Sequence, residues 1–295
     1  MSIAPLQNVF VWDPSPNIFT VPVINHPITW YGVLFAFGFF VAYFVVRHLF
    51  FEQLKNDCPN KPQTWVKRLS VNLTDRLTLL VIIGTLIGAR LGHVFFYGWT
   101  YYVSHPVDIL KIWEGGLASH GGAVGILLAI GIFTFQHKKN HSSFTFLATL
   151  DAIVVPAAFV GGCIRIGNFI NQEILGTPTL LPWGVIFLRP VQGMRGVPLH
   201  PVQLYESLFY FISFVLLIII WKKLGQRIGG GILAGWFFIL IFSFRFLIEY
   251  IKLPQSELLK EDSWLNMGQM LSLPLILLGI VLVATYSMRQ RRRNV

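Results

Sequence analysis

Among the ionisable residues inside or at the edges of long apolar runs, seven stand out: Arg90, His93, His120, Arg165, Glu206, Arg245 and Glu249. The densest polar group is the run Gly161-Gly-Cys-Ile-Arg165-Ile-Gly-Asn168-Phe-Ile-Asn171-Gln-Glu173. A guanidinium stays charged at any physiological pH and can grip a phosphate with two parallel N–H groups. If a helix continues through this run, Arg165, Asn168 and Gln172 fall within about 60° of arc. That would set an anion-binding group beside amides able to hold a polar headgroup. A helix stop would account for Gly167 and Asn168 but not for Arg165. In Arg245-Phe-Leu-Ile-Glu249 the i,i+4 spacing puts a cation and a carboxylate on one helix face. Such a pair either neutralises itself for burial, or holds an arginine ready for an anion.

His120 sits among small residues, in Gly115-Gly-Leu-Ala-Ser-His120-Gly-Gly. Its imidazole titrates near neutrality, and the glycines leave room for a ligand against the backbone, which makes His120 a candidate base. In His200-Pro201-Val-Gln203-Leu-Tyr205-Glu206, Pro201 fits the first turn of a helix. There Gln203, Tyr205 and Glu206 read as lining a cavity or holding other cations rather than as reacting groups. Gly84, Gly88 and Gly92 form two consecutive small-xxx-small steps, the pattern of a helix-packing ridge, as do Gly231 and Gly235. Cys58 lies in a polar stretch and Cys163 in an apolar one, so no disulfide framework is indicated. No Cys/His cluster has the spacing of a zinc site.

The elements that must position these residues are membrane spans. Of 295 residues, 54% are apolar and only 12% charged, about half the charge density of a soluble domain. That excludes a soluble globular protein and an intrinsically disordered one. Barrel strands would read as alternating segments of about ten residues, whereas the apolar runs here are continuous and twice as long. Seven stretches reach the roughly 20 residues that a helical span requires: 28–51, 76–97, 117–136, 144–168, 203–221, 230–251 and 270–288. The fourth contains Pro156 and is expected to be the least regular.

The net charge of +10 would suggest nucleic acid in a soluble chain; here topology explains it. Loops 52–75, 137–143 and 222–229 and the C-terminal tail carry thirteen Lys and Arg, against five in the alternate set. Cytoplasmic loops collect these residues, so the N-terminus is expected outside and the C-terminus in the cytoplasm. Arg90, Arg165, Arg245, His93, His120, Glu206 and Glu249 then cluster toward the outer side, where a charge within lipid costs about 2.5–3.5 kcal/mol unless paired or hydrated. The set implies a polar cavity near the outer leaflet.

These residues resemble the prolipoprotein diacylglyceryl transferase family of bacterial inner membranes. The most specific match is the run from Gly161 through Arg165, Asn168, Asn171 and Glu173 to Gly176. Further matches are Trp30-Tyr31-Gly32, Gly88-Ala-Arg90-Leu-Gly92, Trp113 through His120-Gly-Gly, His200 through Glu206, Arg245 through Glu249, and Met267-Gly-Gln-Met-Leu-Ser272. They follow the family's order from the first span to the seventh. The resemblance implies an all-α integral membrane protein of seven transmembrane helices with a small extracytoplasmic head formed by loops. It implies transfer of the diacylglyceryl group of phosphatidylglycerol to the lipobox cysteine of a prolipoprotein, with glycerol 1-phosphate released. No metal or organic cofactor is implied, and no nucleic-acid partner.

On this resemblance Arg165 and Arg245 take the phosphate and Glu249 orients Arg245. Asn168, Asn171 and Glu173 hold the glycerol head, and Tyr31 and Arg90, in matched motifs, join the substrate-binding set. His120 is the candidate base or the group that orders the thiol. One residue departs from the pattern. Ile241 stands where the family commonly carries a tyrosine four residues before the Arg245 position, so that hydroxyl either comes from Tyr31, Tyr205 or Tyr250 or is dispensable. The competing readings are a transporter with a buried Arg/Glu ion pathway, or another intramembrane enzyme. Neither paired broken helices, nor a nucleophile elbow, nor a His-Glu-x-x-His pair occurs in the sequence.

Overall fold

In the computed structural model, residues 9–22, 26–193, 195–254, 264–286 and 288–289 are described. Among these described residues seven helices are long and apolar enough to cross a membrane: α1 (Trp30–Asp57), α2 (Gln63–Tyr97), α4 (Ser119–His137), α5 (Phe146–Ile170), α6 (Val202–Lys223), α7 (Ile232–Ile248) and α8 (Met267–Ala284). A short helix α3 (Trp99–Ser104) follows α2, and a 3-10 turn, Glu249–Ile251, extends α7. The seven expected spans are therefore all present.

Their limits differ most at α2, which begins thirteen residues before the expected 76. Val66, Ser70, Leu73 and Thr74 are buried there, a helical spacing that polar Ser and Thr hide from a hydropathy reading. Lys67 and Arg68, expected in a loop, thus ride on the first turns of a helix. α5 runs unbroken through Pro156, more regular than expected; in spanning helices, neighbouring groups can re-satisfy the carbonyl that a proline frees.

The chain falls into two compact units. The first comprises Met1–Val45, Ile153–Gly225 and Gly231–Val295. Its α7 and α8 meet at glycines: a Cβ on Gly279 would stand 2.7 Å from the Gly235 carbonyl oxygen. Gly235 thus packs as expected, whereas Gly231 caps α7 in the left-handed region at φ 75°.

The loops of this unit carry more regular structure than expected. Strands β1 (Phe10–Trp12), β4 (Val185–Phe187) and β5 (Pro198–Leu199) form one sheet, with β1 parallel and β5 antiparallel to β4. β2 (Asn17–Val21) pairs antiparallel with β3 (His26–Thr29). Phe169, Leu175, Val185, Phe187 and Leu199 form a small core with Trp12 against it. Trp12 Nε1 donates to the Phe169 carbonyl at 3.0 Å, tying the sheet to the end of α5.

The second unit comprises Val46–Ala152 and Gln226–Gly230. Phe50 packs on Phe133 and edge-on against Phe144, with centroids 6.1 and 4.8 Å apart. α2 and α4 approach along the expected glycine ridge. A Cβ on Gly88 would overlap the Gly121 carbonyl, and one on Gly125 would overlap the Gly84 carbonyl. Without a strong hydrophobic drive between helices in lipid, such backbone contact is a main source of association.

Candidate active site

In the first unit, the last turn of α5 carries the polar cluster. Arg165 and Asn168, three residues apart, share a face, and Arg165 Nη1 donates to Asn168 Oδ1 at 3.0 Å. The helix then stops: Gln172 and Ile174 both adopt left-handed backbone, with φ of 56° and 58°. A β-branched residue rarely takes that conformation, and the surrounding bonds must hold it there. The turn folds Glu173 back, so that its Oε1 accepts from Asn168 Nδ2 at 2.8 Å and Asn171 Nδ2 at 3.2 Å. Gln203 Nε2, from the first turn of α6, donates to the Glu173 carbonyl at 2.8 Å.

The Arg165 Nε lies 3.0 Å from Glu206 Oε2. Glu206 is completely buried, and its other oxygen accepts from Lys252 Nζ at 2.8 Å. Lys252 is also buried and lies 3.3 Å from Glu249 Oε1. The two cations and two carboxylates balance, as a low-dielectric environment demands. Tyr210, buried one helical turn beyond Glu206, lies close enough for the Arg165 and Arg245 charges to bear on its hydroxyl. The Tyr31 ring lies against Gly167, where a Cβ would stand 2.7 Å from Tyr31 Cδ2.

The structure therefore brings Tyr31, Arg165, Asn168, Asn171, Glu173 and Glu206 together, and it changes three expectations. Gln172 does not share the Arg165 face, because the helix ends before it; its Oε1 instead accepts the Arg189 backbone N–H at 2.7 Å. Glu249 does not pair with Arg245. The Glu249 backbone N–H still bonds the Arg245 carbonyl, so the two share a face, but the carboxylate Oε1 lies 3.3 Å from Lys252 Nζ instead. Arg245 is left half-buried, with no ion pair among the described residues.

The third change concerns hydroxyls. Tyr205 accepts from Trp183 Nε1 at 2.7 Å, and Tyr250 is exposed. The buried tyrosine that feels the charge of both arginines is Tyr210, which the sequence reading missed, as it missed Lys252. The signal for Tyr210 was its four-residue spacing from Glu206, and for Lys252 its three-residue spacing from Glu249.

In the second unit Arg90 is buried and spends its donors on backbone. Nε donates to the Ile109 carbonyl at 2.8 Å, Nη1 to those of Gly115 and Gly116 at 2.7 and 3.3 Å, and Nη2 to that of Asp108. Gly115 and Gly116 turn those carbonyls inward with φ of 91° and 69°, open to glycine at little cost. Tyr102 covers the guanidinium at 5.0 Å. Arg90, expected among the substrate-binding residues, is thus a clamp on the 108–116 loop. On that loop the Asp108 carboxyl is held below the usual range by Lys111 at 2.6 Å, then by the Tyr101 hydroxyl.

His93 stacks on Tyr97 with centroids 5.8 Å apart. His120 is exposed, with its ring edge-on to Phe96 at 4.9 Å and tilted against Tyr97 at 5.9 Å. Among the described residues no group of three His, Cys, Asp or Glu could hold a metal ion.

Seven spanning helices and a buried Arg–Glu–Lys cluster at the end of one of them define a multi-pass membrane protein with a polar site built from its spans. The sequence profile of the prolipoprotein diacylglyceryl transferase family matches residues 16–285. The chain belongs to that family, and is thereby a transferase. It is similar to the phosphatidylglycerol–prolipoprotein diacylglyceryl transferase of Chlamydia pneumoniae, 41% identical over 97% of this chain and 98% of the relative. The protein of the same name from Tolumonas auensis is 41% identical over 92% of this chain and 95% of the relative. That from Protochlamydia amoebophila is 37% identical over 92% and 93%.

Proposed function

We propose that this protein transfers the diacylglyceryl group of phosphatidylglycerol to the lipobox cysteine of a prolipoprotein in the bacterial inner membrane, with its N-terminus outside and its C-terminus cytoplasmic. The acceptor sulfur, as thiolate, attacks the diacylglyceryl carbon bonded to the phosphate oxygen. A C–S thioether forms as the C–O bond breaks, and glycerol 1-phosphate leaves with the electron pair. The cysteine proton goes to a base, for which His120 is the proposed group. Arg165, with Arg245, stabilises the charge that grows on the leaving phosphate.

The observation that carries this reading is the partial hold on Arg165. Of its five N–H donors, one on Nη1 goes to Asn168, and Nε lies 3.0 Å from the Glu206 carboxylate. Among the described residues Nη2 has no hydrogen-bond or ion-pair partner, which suits an anion. Asn171 and Glu173 lie beside Asn168 to meet glycerol hydroxyls.

Incubation of the purified protein in detergent with phosphatidylglycerol and a lipobox peptide should give a peptide heavier by one diacylglyceryl group, with glycerol phosphate released. Absence of that mass gain, with solute flux through liposomes carrying the protein, would instead support a transporter. His120→Gln should slow transfer by about 10²-fold or more; a largely unchanged rate would remove His120 from the base role.

A further inference from the structure

We infer that Lys252 is a positioning residue of the phosphate site: by holding one oxygen of Glu206, it keeps Nη2 of Arg165 available to an anion. The inference rests on the reading of Arg165 as the phosphate ligand and extends it to a residue outside every motif that pointed there.

Glu206 is completely buried and divides its carboxylate between two cations. Oε1 faces Lys252 Nζ at 2.8 Å and Oε2 faces Arg165 Nε at 3.0 Å. A carboxylate alone with one guanidinium in a dry environment is drawn into a two-pronged grip, which engages a second guanidinium nitrogen. Lys252 blocks that outcome by occupying Oε1. It also draws on Glu249 at 3.3 Å, which anchors the ammonium from its far side. A compact ammonium suits a position between two carboxylates, whereas a guanidinium would impose a planar fork.

Simple neutralisation explains less. One cation would offset Glu206 without dividing its oxygens, and Lys252 is buried more completely than Arg165, with 2% of its side chain exposed against 13%. Nor is the Lys252 side chain needed to route the chain. The segment after α7 is fixed to the segment after α5 through backbone: Leu253 N–H donates to the Leu175 carbonyl and Thr177 N–H to that of Ile251, both at 2.9 Å. Gly176 and Lys252 form an isolated bridge between them. A change of side chain at 252 therefore perturbs the charge network while main-chain bonds preserve the path.

The test is steady-state transfer by Lys252→Met, with the KM of phosphatidylglycerol and of the lipobox peptide measured separately. A positioning role acts on the lipid alone. Its KM should rise about tenfold or more, the scale on which removing one member of a buried charge pair acts, while the peptide KM stays within twofold. Lys252→Arg should restore most of the lipid KM, because charge returns even though shape differs. If Lys252→Met does not fold, Glu249→Gln/Lys252→Met keeps the net charge unchanged, with Glu249→Gln as its reference, and should show the same rise.

A lipid KM within twofold of the parent, or lipid and peptide KM rising together without rescue by arginine, would overturn the inference. Arg165→Ala separates this from failure of the underlying reading. Loss of transfer in Arg165→Ala with a normal Lys252→Met refutes the Lys252 role alone; normal transfer in Arg165→Ala refutes the phosphate site itself.

Discussion

Arg165 and Arg90 are both arginines in spanning helices, both flanked by glycine, and they are held in opposite ways. The Arg90 donors end on the carbonyls of Asp108, Ile109, Gly115 and Gly116. The Arg165 partners are side chains, Glu206 at Nε and Asn168 at Nη1, and among the described residues Nη2 has none. A guanidinium saturated by backbone fixes a loop and has little left for a ligand. One that is braced from behind by a carboxylate remains a binding group. What separates the two is the destination of the N–H groups, which neither burial nor residue type reveals.

The largest effect expected from this contrast is at Arg165. Arg165→Ala should lower transfer by on the order of 10³-fold while leaving membrane insertion intact. Arg165→Lys should recover little, because a lysine cannot make the paired contact. Arg90→Ala should act on stability instead, costing about 3 kcal/mol in unfolding measured in detergent, since a buried hydrogen-bonded cation is lost and four carbonyls are orphaned. Its folded fraction should keep the parent's lipid KM. Arg90→Lys should not rescue it, since one ammonium cannot serve carbonyls on both sides of the loop.

A smaller effect is expected where α2 and α4 touch. Gly121→Ala sets a Cβ against the Gly88 carbonyl and should cost about 1–3 kcal/mol, again in stability and not in lipid KM. The smallest effect is at His200, outside the spans, where burial lowers the imidazole pKa. Its unfolded form therefore takes up a proton more readily than its folded form. That contribution to stability is fully present above the ordinary histidine range and is lost as pH falls through it. His200→Asn should flatten this part of the acid-side decline in an unfolding series across pH.

The spans were legible in the sequence because lipid demands about 20 apolar residues per crossing, and nothing else in the chain imitates that. The first thirteen residues of α2 were not, since Ser70 and Thr74 are buried yet read as polar. The Arg165–Asn168–Glu173 group was legible as a local cluster.

Partners set by geometry were not legible. Glu249 pairs with Lys252, three residues on, rather than with Arg245, and Gln172 leaves the Arg165 face because α5 ends at Ile170 and Gln172 itself takes left-handed backbone. Neither event has a glycine or proline to announce it at those positions. Lys252 and Glu206 lie 46 residues apart in sequence, so only the folded chain shows that they share a carboxylate.

The central claim is that the free edge of Arg165 is the phosphate-binding element. Equilibrium binding of phosphatidylglycerol to the purified protein, compared with Arg165→Ala and Arg90→Ala at equal folded fraction, addresses it without depending on turnover. Affinity should fall about tenfold or more in Arg165→Ala, the loss expected when a charged contact to a bound anion is removed, and stay at the parent value in Arg90→Ala. Equal affinity in the parent and Arg165→Ala would contradict the account.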